Sequence, residues 1–301
     1  MFIMKRLGIL FMTLMMVTVF TSCDKDSLGV FNPKVRIAKV YSEADMHYLQ
    51  EDWIWSTDHL ERIDYYKKNG NLNYSQVYHY DQDRLSSIEM DKSHTDFVYD
   101  GKMLTDINTY YGDQLLESYA LSYEKKKLSH LSIRKNSDKS FANPTHDFLE
   151  CLFPMDDPVP TTVLFGQKDT KERYDFSAAE IDFIWDGDNV KYMKMTINRP
   201  DSVQKLTYSY VYDKMINPKK NFFSLFVDHM MLENDPQSPF CSSNNVMSVY
   251  VTDETHLNTH TNSYTYSYDY HQKYPTKIYK TFINTESYMT DSTLLYTYQY
   301  Q

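Results

Sequence analysis

Tyrosines recur at every second position in several stretches of this chain, and that period limits what it can fold into. Tyr264, Tyr266, Tyr268 and Tyr270 alternate with Thr265, Ser267 and Asp269. Tyr208, Tyr210 and Tyr212 repeat the pattern, as do Tyr296, Tyr298 and Tyr300. A period of two places each set on one face of a β-strand. The 28 tyrosines among 301 residues suit such faces. A phenol ring covers a half-buried pleated surface while its hydroxyl reaches a polar partner. No long stretch has a convincing 3.6-residue period. Ser42 to Leu49 and Phe222 to Leu232 are the best helix candidates, and both are short and weak.

A second regularity says how the strands connect. Tyr80-Asp81 is followed by Leu85 and Ile88, and Tyr99-Asp100 by Leu104 and Ile107 at the same spacing. Tyr123-Glu124 leads to Leu128 and Leu131, and Trp185-Asp186 to Val190 and Met193. The unit reads aromatic, acid, three turn residues, aliphatic, two residues, aliphatic. A strand ends on the aromatic, the acid can accept from turn N–H groups, and the next strand opens on the aliphatic. Gly101 and Gly187 supply backbone freedom in two of these turns. A second turn class alternates with the first, at Asn69-Gly70 and Tyr111-Gly112-Asp113. Together they predict an antiparallel meander from about Asp52 to Arg134. Its Tyr and aliphatic residues face one way; Ser, Lys, Asp and Gln largely face the other.

Residues 136–170 interrupt the rhythm with Pro144, Pro154, Pro158 and Pro160 and read as an irregular segment. Strands resume near Glu180, stop at Asn217-Pro218, and return from Asn245 to the C-terminus with a break at Tyr274-Pro275. The expected fold is all-β: one large, strongly curved antiparallel meander sheet, closed or half-closed into a barrel, with one or two short helices. A single extended sheet has edges to protect and a face to cover, so curling is expected. The expected organisation is a leader at 1–22, a tether at 23–50 and one Tyr-rich β domain at 51–301.

The leader has a basic start at Lys5 and Arg6 and an apolar run from Leu7 to Phe20. That run is shorter than the ~20 residues a spanning helix needs. Thr21-Ser22-Cys23 after it resembles a bacterial lipobox, which implies cleavage before Cys23 and lipid on its thiol. Each buried CH₂ contributes about 0.8 kcal/mol, so one acyl chain holds marginally and two hold firmly. The mature chain would be an outer-membrane lipoprotein, tethered at the cell surface or on the periplasmic face. Asp24 and Asp26 directly after the anchor resemble the surface-export signal of Bacteroidota lipoproteins.

The formal charge is −10 at pH 7, and losing Lys5 and Arg6 with the leader makes it two units more negative. An acidic domain of this kind is no partner for nucleic acid. Lys125-Lys126-Lys127, the longest basic run, falls in a predicted hairpin turn and reads as solvated. Cys151 and Cys241 remain after Cys23; outside the cytoplasm they could form a disulfide or stay as buried thiols. His256 and His260 are four apart, about 13 Å on a strand, too far for one zinc ion. Asp156-Asp157 and Asp186/Asp188 lack EF-hand spacing. No His-Glu-x-x-His, Cys-x-x-Cys, Gly-x-Ser-x-Gly or phosphate-binding glycine loop occurs. We therefore expect no enzyme, no cofactor and no metal. The recurring turn acids read as structural rather than as a glycosidase pair.

Trp53 and Trp55 alternate on an early strand, flanked by Asp52 and Asp58. Exposed, their faces suit sugar rings; buried, they are core. They are the candidate ligand-binding residues, and Cys23 is the candidate lipidation site.

These motifs carry a likeness. Thr21-Ser22-Cys23, the Tyr-Asp hairpins, Trp185-Asp186-Gly187-Asp188-Asn189-Val190, Tyr212-Asp213 leading to Asn217-Pro218, and Tyr274-Pro275-Thr276-Lys277-Ile278 resemble the DUF4595-type lipoproteins of the Bacteroidota. The resemblance covers about residues 50–301 and implies a porin-like all-β fold with no assigned activity. The hairpin unit is also similar to the tyrosine–aspartate repeats of Rhs-type proteins, without their Gly-Arg-rich core. The expected function is non-catalytic binding or scaffolding at the cell envelope, with a glycan or surface polymer as ligand. The alternatives are a protein–protein interaction module and a carbohydrate-active enzyme. The sequence leaves the oligomeric state open.

Overall fold

The computed structural model describes residues 28–44, 46–136, 178–198, 201–222, 241–255, 260–283 and 290–301. They form sixteen strands. The first eight are β1 (Ile37–Ser42), β2 (Tyr48–Trp55), β3 (Leu60–Tyr66), β4 (Leu72–Asp81), β5 (Arg84–Met90), β6 (Ser93–Asp100), β7 (Met103–Tyr111) and β8 (Gln114–Glu124). The rest are β9 (Lys127–Lys135), β10 (Ala178–Asp186), β11 (Asn189–Asn198), β12 (Val203–Ile216), β13 (Asn244–Asp253), β14 (His260–His271), β15 (Tyr274–Ile283) and β16 (Thr290–Tyr300). Each pairs antiparallel with the next, and β1 closes on β16 through Ile37↔Tyr300 and Val40↔Tyr298. The sheet is a closed barrel without edges. The turns at Gln82, Gly101, Lys125-Lys126, Gly187 and Gln272, all left-handed, lie at one end, here the lower end. Those at Gly70, Asp91 and Gly112 lie at the upper end.

The period-two pattern decides which face looks inward. Trp53↔Ile63, Tyr78↔Ile88, Phe97↔Ile107 and Leu121↔Leu131 are register pairs, and all eight residues are buried. Phe183↔Met193, Tyr210↔Val249 and Val40↔Tyr298 continue the ring. Many of the neighbouring positions point out and are polar, among them Asp52, Asp64, Ser75, His79, Glu89, Asp96, Asp106, His130 and Lys194, while Ile184, Val211, Met247 and Tyr250 are outward and apolar. A membrane barrel alternates the other way, with an apolar band outside. Strands here reach 14 residues, so length does not exclude a spanning role. The outward charges oppose one, since a lipid face disfavours them, by about 2–4 kcal/mol for Arg or Lys at the midplane and less for Asp or Glu.

Sixteen strands enclose more space than their own side chains fill. Two connecting segments supply the missing bulk at the lower end. Leu28 and Phe31 come from the chain before β1, and Phe222 and Cys241 from the connection between β12 and β13; all are buried. Phe31 and Phe222 lie 5.1 Å apart, ring to ring, and both pack on Trp53.

The lower end is fastened by a repeated clasp. At every second seam, beginning with β1–β2, the ladder stops short of the lower end: β5–β6 pairing stops at Ser87↔Asp96, and β7–β8 pairing at Asp106↔Ala120. Bulges beside the turn aromatics bend the strands apart there. An aromatic side chain then bridges each gap. Tyr99 Oη donates to Leu85 O at 2.8 Å, Tyr123 Oη to Leu104 O at 2.7 Å, and Trp185 Nε1 to Leu128 O at 2.7 Å. Trp55 reaches Ile37 O, Tyr212 reaches Val190 O, Tyr268 reaches Val246 O, Tyr300 reaches Pro275 O, and Tyr80 bonds the Leu60 backbone. The clasp thus runs round the whole barrel. Removing one hydroxyl strands a half-buried carbonyl, so Tyr123→Phe should cost about 1–3 kcal/mol in urea unfolding.

Several sequence expectations change. Ser42 to Leu49 is no helix: it comprises the end of β1, a turn and the start of β2. Two turns nucleate poorly alone, and strand partners stand on both sides. Phe222 directly follows a turn, its N–H bonding Lys219 O, and 223–232 lie outside the described residues, so no helix occurs among the described residues. The proposed tether 23–50 contains β1, the start of β2 and the buried Leu28 and Phe31, so from Leu28 onward it belongs to the barrel. Tyr274-Pro275 does not break the sheet; it opens β15 after a tight turn, at a bulge where the absent N–H is tolerated. Asp213 accepts from N–H groups of strands rather than of a turn, Met215 N in β12 and Asn245 N in β13. Asp186 instead pairs with Lys191 at 3.7 Å.

One outer contact is set to respond to pH. His130 Nδ1 meets Asp182 at 2.8 Å and its Nε2 meets Glu180 at 2.9 Å, tying β9 to β10. The Asp182 bond first, then the Glu180 bond, hold its pKa above the usual value of 6.5. Because the folded pKa is raised, this stabilisation is complete below about pH 6.5 and is lost as pH rises through the folded value. The Tm difference between the protein and His130→Gln should therefore shrink as pH rises through that window.

Candidate functional site

Above the apolar rings the interior wall is uneven. Strands β8 to β12 supply Tyr119, Ile133, Ile181, Met195 and Tyr208, all buried. Strands β2 to β4 supply Glu51, Tyr65, Tyr74 and Gln76 at neighbouring inward positions, through Glu51↔Tyr65↔Tyr74 and Trp53↔Ile63↔Gln76.

The hydrogen bonds of this patch leave one donor over. Gln76 has no exposed surface. Its Oε1 accepts from Tyr78 Oη at 2.8 Å and from Tyr65 Oη at 3.2 Å. Among the described residues its Nε2 has no partner. A buried amide donor without an acceptor costs about 1–3 kcal/mol. Glu51, 8% exposed, accepts from Trp53 Nε1 at 2.8 Å. Lys219 Nζ lies 3.9 Å from the same carboxylate and hovers over the Trp53 and Tyr298 rings. Tyr65 stacks on Tyr74 at 4.6 Å. Burial first, then the neighbouring tyrosines and the Glu51 charge, push the Tyr65 and Tyr78 hydroxyls far above their ordinary pKa. Tyr74 rises too, through burial and Glu51. All three therefore remain neutral hydroxyls at any physiological pH.

The patch combines aromatic faces, neutral hydroxyls, one amide and one carboxylate. That chemistry suits a hydroxyl-rich, uncharged ligand. A glycosidase needs two carboxyls about 5–10 Å apart across the bond to be cut, and this patch offers one. Among the described residues no group of three or more His, Cys, Asp or Glu is placed to hold a metal ion.

The candidate residues named from the sequence fall as follows. Trp53 is 2% exposed and forms the floor of this patch, under Glu51. Trp55 is half-buried, clasps Ile37 O and packs on Phe31. Neither indole offers an open face. Cys23, Cys151, Asp156-Asp157 and His256 lie outside the described residues. Cys241 is a free, buried thiol, with burial pushing its pKa up to about 12. Asp188 pairs with Lys127 at 3.6 Å, so Asp186 and Asp188 both hold lysines. Sequence reasoning missed Glu51 and Gln76. Their signal was a polar residue on the inward phase of a strand, Glu51 two before Trp53 and Gln76 two before Tyr78.

The resemblance motifs around Asn189, Asp213 and Asn217 meet at the lower end. Asn189 and Asn244 bond each other twice, Asn217 Nδ2 donates to Ser242 O, and Tyr270 Oη donates to Asp213. They tie the β12–β13 connection to the barrel floor, which is a structural role.

No family model matches this chain, and no curated protein does. Among solved structures it is similar to a porin-like protein from Bacteroides vulgatus ATCC 8482, with a TM-score of 0.50 and 12% identity over 89% of this chain and 99% of that one. A porin-like protein from Bacteroides uniformis ATCC 8492 follows, with a TM-score of 0.47 and 9% identity over 91% of this chain and 100% of that one. The likeness to the first is one of fold: a porin-like, all-β architecture.

Proposed function

We propose that this chain is a lipid-anchored protein of the Bacteroidota outer membrane, of the DUF4595 type, which binds a glycan or surface polymer and does not convert it. The observation that carries the ligand is the half-buried Tyr65 and Tyr74 pair, stacked at 4.6 Å on the inward face beside the Glu51 carboxylate. A ligand hydroxyl would donate to the Tyr65 oxygen, whose own proton the fully buried Gln76 accepts, with Glu51 beside it. Stacking on Tyr74 would supply the apolar part. The anchor rests on Thr21-Ser22-Cys23 after the apolar run. The polar outer wall supports a barrel that stands in water rather than one that conducts through the bilayer.

The test is a glycan-array screen of residues 24–301 with Glu51→Gln and Gln76→Met. We expect a bound glycan whose affinity falls at least tenfold in either variant, with unchanged circular dichroism. An array with no ligand, or one indifferent to both substitutions, removes the glycan reading. Cys23→Ser should abolish palmitate labelling; unchanged labelling removes the anchor.

A protein partner is the second reading. Ile184, Val211, Met247 and Tyr250 are each more than 40% exposed on the outer wall of β10 to β13. Such a patch is the usual mark of a protein contact. If the array is blank, Val211→Asp is the variant to test in pull-downs.

A further inference from the structure

We infer that the barrel stands on the lipid surface by its lower end, so that the upper end points away from the membrane. This rests on the reading of Cys23 as the acylated residue. The lower end would then be a membrane-facing surface.

The argument starts where the N-terminal segment is seated. Gly29 O accepts from Leu85 N at 3.0 Å, at the lower end of β5. Phe31 packs beneath Trp53 and Trp55. Arg36 donates to Ser56 O at 3.0 Å and Thr57 O at 2.8 Å, both in the lower turn between β2 and β3. Its guanidinium also lies over the Trp55 ring at 5.0 Å. The segment before β1 therefore crosses the lower end, with Leu28 and Gly29 next to the turn that joins β4 to β5.

Chain length does the rest. Only Asp24, Lys25, Asp26 and Ser27 separate Cys23 from Leu28. Five peptide steps reach at most about 17 Å. The wall is taller. β4 has ten residues, a run of about 33 Å, and a tilt near 40° leaves about 25 Å of height. An anchor that starts at the floor cannot lay the upper rim on a bilayer.

The test uses the full, acylated protein in vesicles that carry a paramagnetic quencher at the headgroups. Two single-thiol variants are made in a Cys151→Ser background. Asp83→Cys reports on the lower turn beside the seated segment, where Asp83 is 89% exposed. Asp113→Cys reports on an exposed upper turn. Cys241 is buried and stays unlabelled. We expect a fluorophore at 83 to be quenched several-fold more than one at 113. Equal quenching, or stronger quenching at 113, in protein that floats with the vesicles overturns the orientation and leaves the anchor standing. Protein that does not float removes the anchor, and the orientation with it.

Discussion

Trp53→Ala should lower the unfolding free energy by about 3–5 kcal/mol, the range for emptying a buried aromatic site. Trp53 is 2% exposed and meets Phe222 at 4.8 Å and Phe31 at 6.1 Å between ring centroids. Alanine would open a cavity beneath the interior wall and release both plugging rings. It would also take from the Glu51 carboxylate its 2.8 Å donor, leaving a buried charge with Lys219 alone. Trp53→Phe keeps most of the ring and loses only the N–H bond, so its cost should be nearer 1–3 kcal/mol. Denaturant unfolding followed by circular dichroism reads both. The outward His79→Ala is the control and should stay within about 0.5 kcal/mol. Two equal losses at Trp53 would mean that the indole N–H, not the ring, matters there. A cost below 1 kcal/mol for alanine would mean that the lower end is not packed as described.

Gly29→Val should be nearly as damaging, by a different route. Gly29 has φ = +88°, a conformation that β-branched residues adopt only under strain. A Cβ built there would stand 2.2 Å from Tyr99 Oη. That hydroxyl already clasps Leu85 O, so it cannot move aside without opening the β5–β6 seam. Strain of about 1–3 kcal/mol adds to roughly the same amount from overpacking. The expected result is a loss of about 3 kcal/mol, with the N-terminal segment cut earlier in limited proteolysis. Gly29→Val in a Tyr99→Phe background should be less harmful than the separate effects combined, because the phenylalanine has already removed the closest clashing atom and leaves only ring carbons at 2.9 Å. Simple additivity would mean that the segment does not sit against Tyr99.

Much of the fold was legible in the residues because its determinants are local. The aromatic, then an aliphatic five residues on, then another three further, marks hairpins at Tyr80, Tyr99, Tyr123 and Trp185. With the acid left out of the rule, Trp55-Leu60-Ile63 and Tyr270-Pro275-Ile278 satisfy the same spacing. The acid was a poor guide, since left-handed residues such as Gln82, Lys125 and Gln272 make the turn without its help. Two further units were hidden for physical reasons. Tyr212 pairs with Val246 across the long β12–β13 connection, and Tyr300 pairs with Ile37 across the two ends of the chain. No window along the sequence holds either pair. Trp53 illustrates the opposite limit. Its face was readable from alternation, but burial depends on Phe31 and Phe222, which come from segments outside the strand.

The order of residues alone was enough for most of the strands, many of the turns that join them and the face each side chain takes. Each depends on spacing within a few residues: a period of two, a turn geometry. Closure was beyond its reach. Alternation says which face is buried but not how far a sheet curls. That the sheet closes between β1 and β16 depends on strand number and stagger summed round the whole barrel. The filling of the lower end, the ring of aromatic clasps and the meeting of Glu51 with Gln76 follow from that closure. It brings together groups from distant strands and leaves one buried amide without a partner.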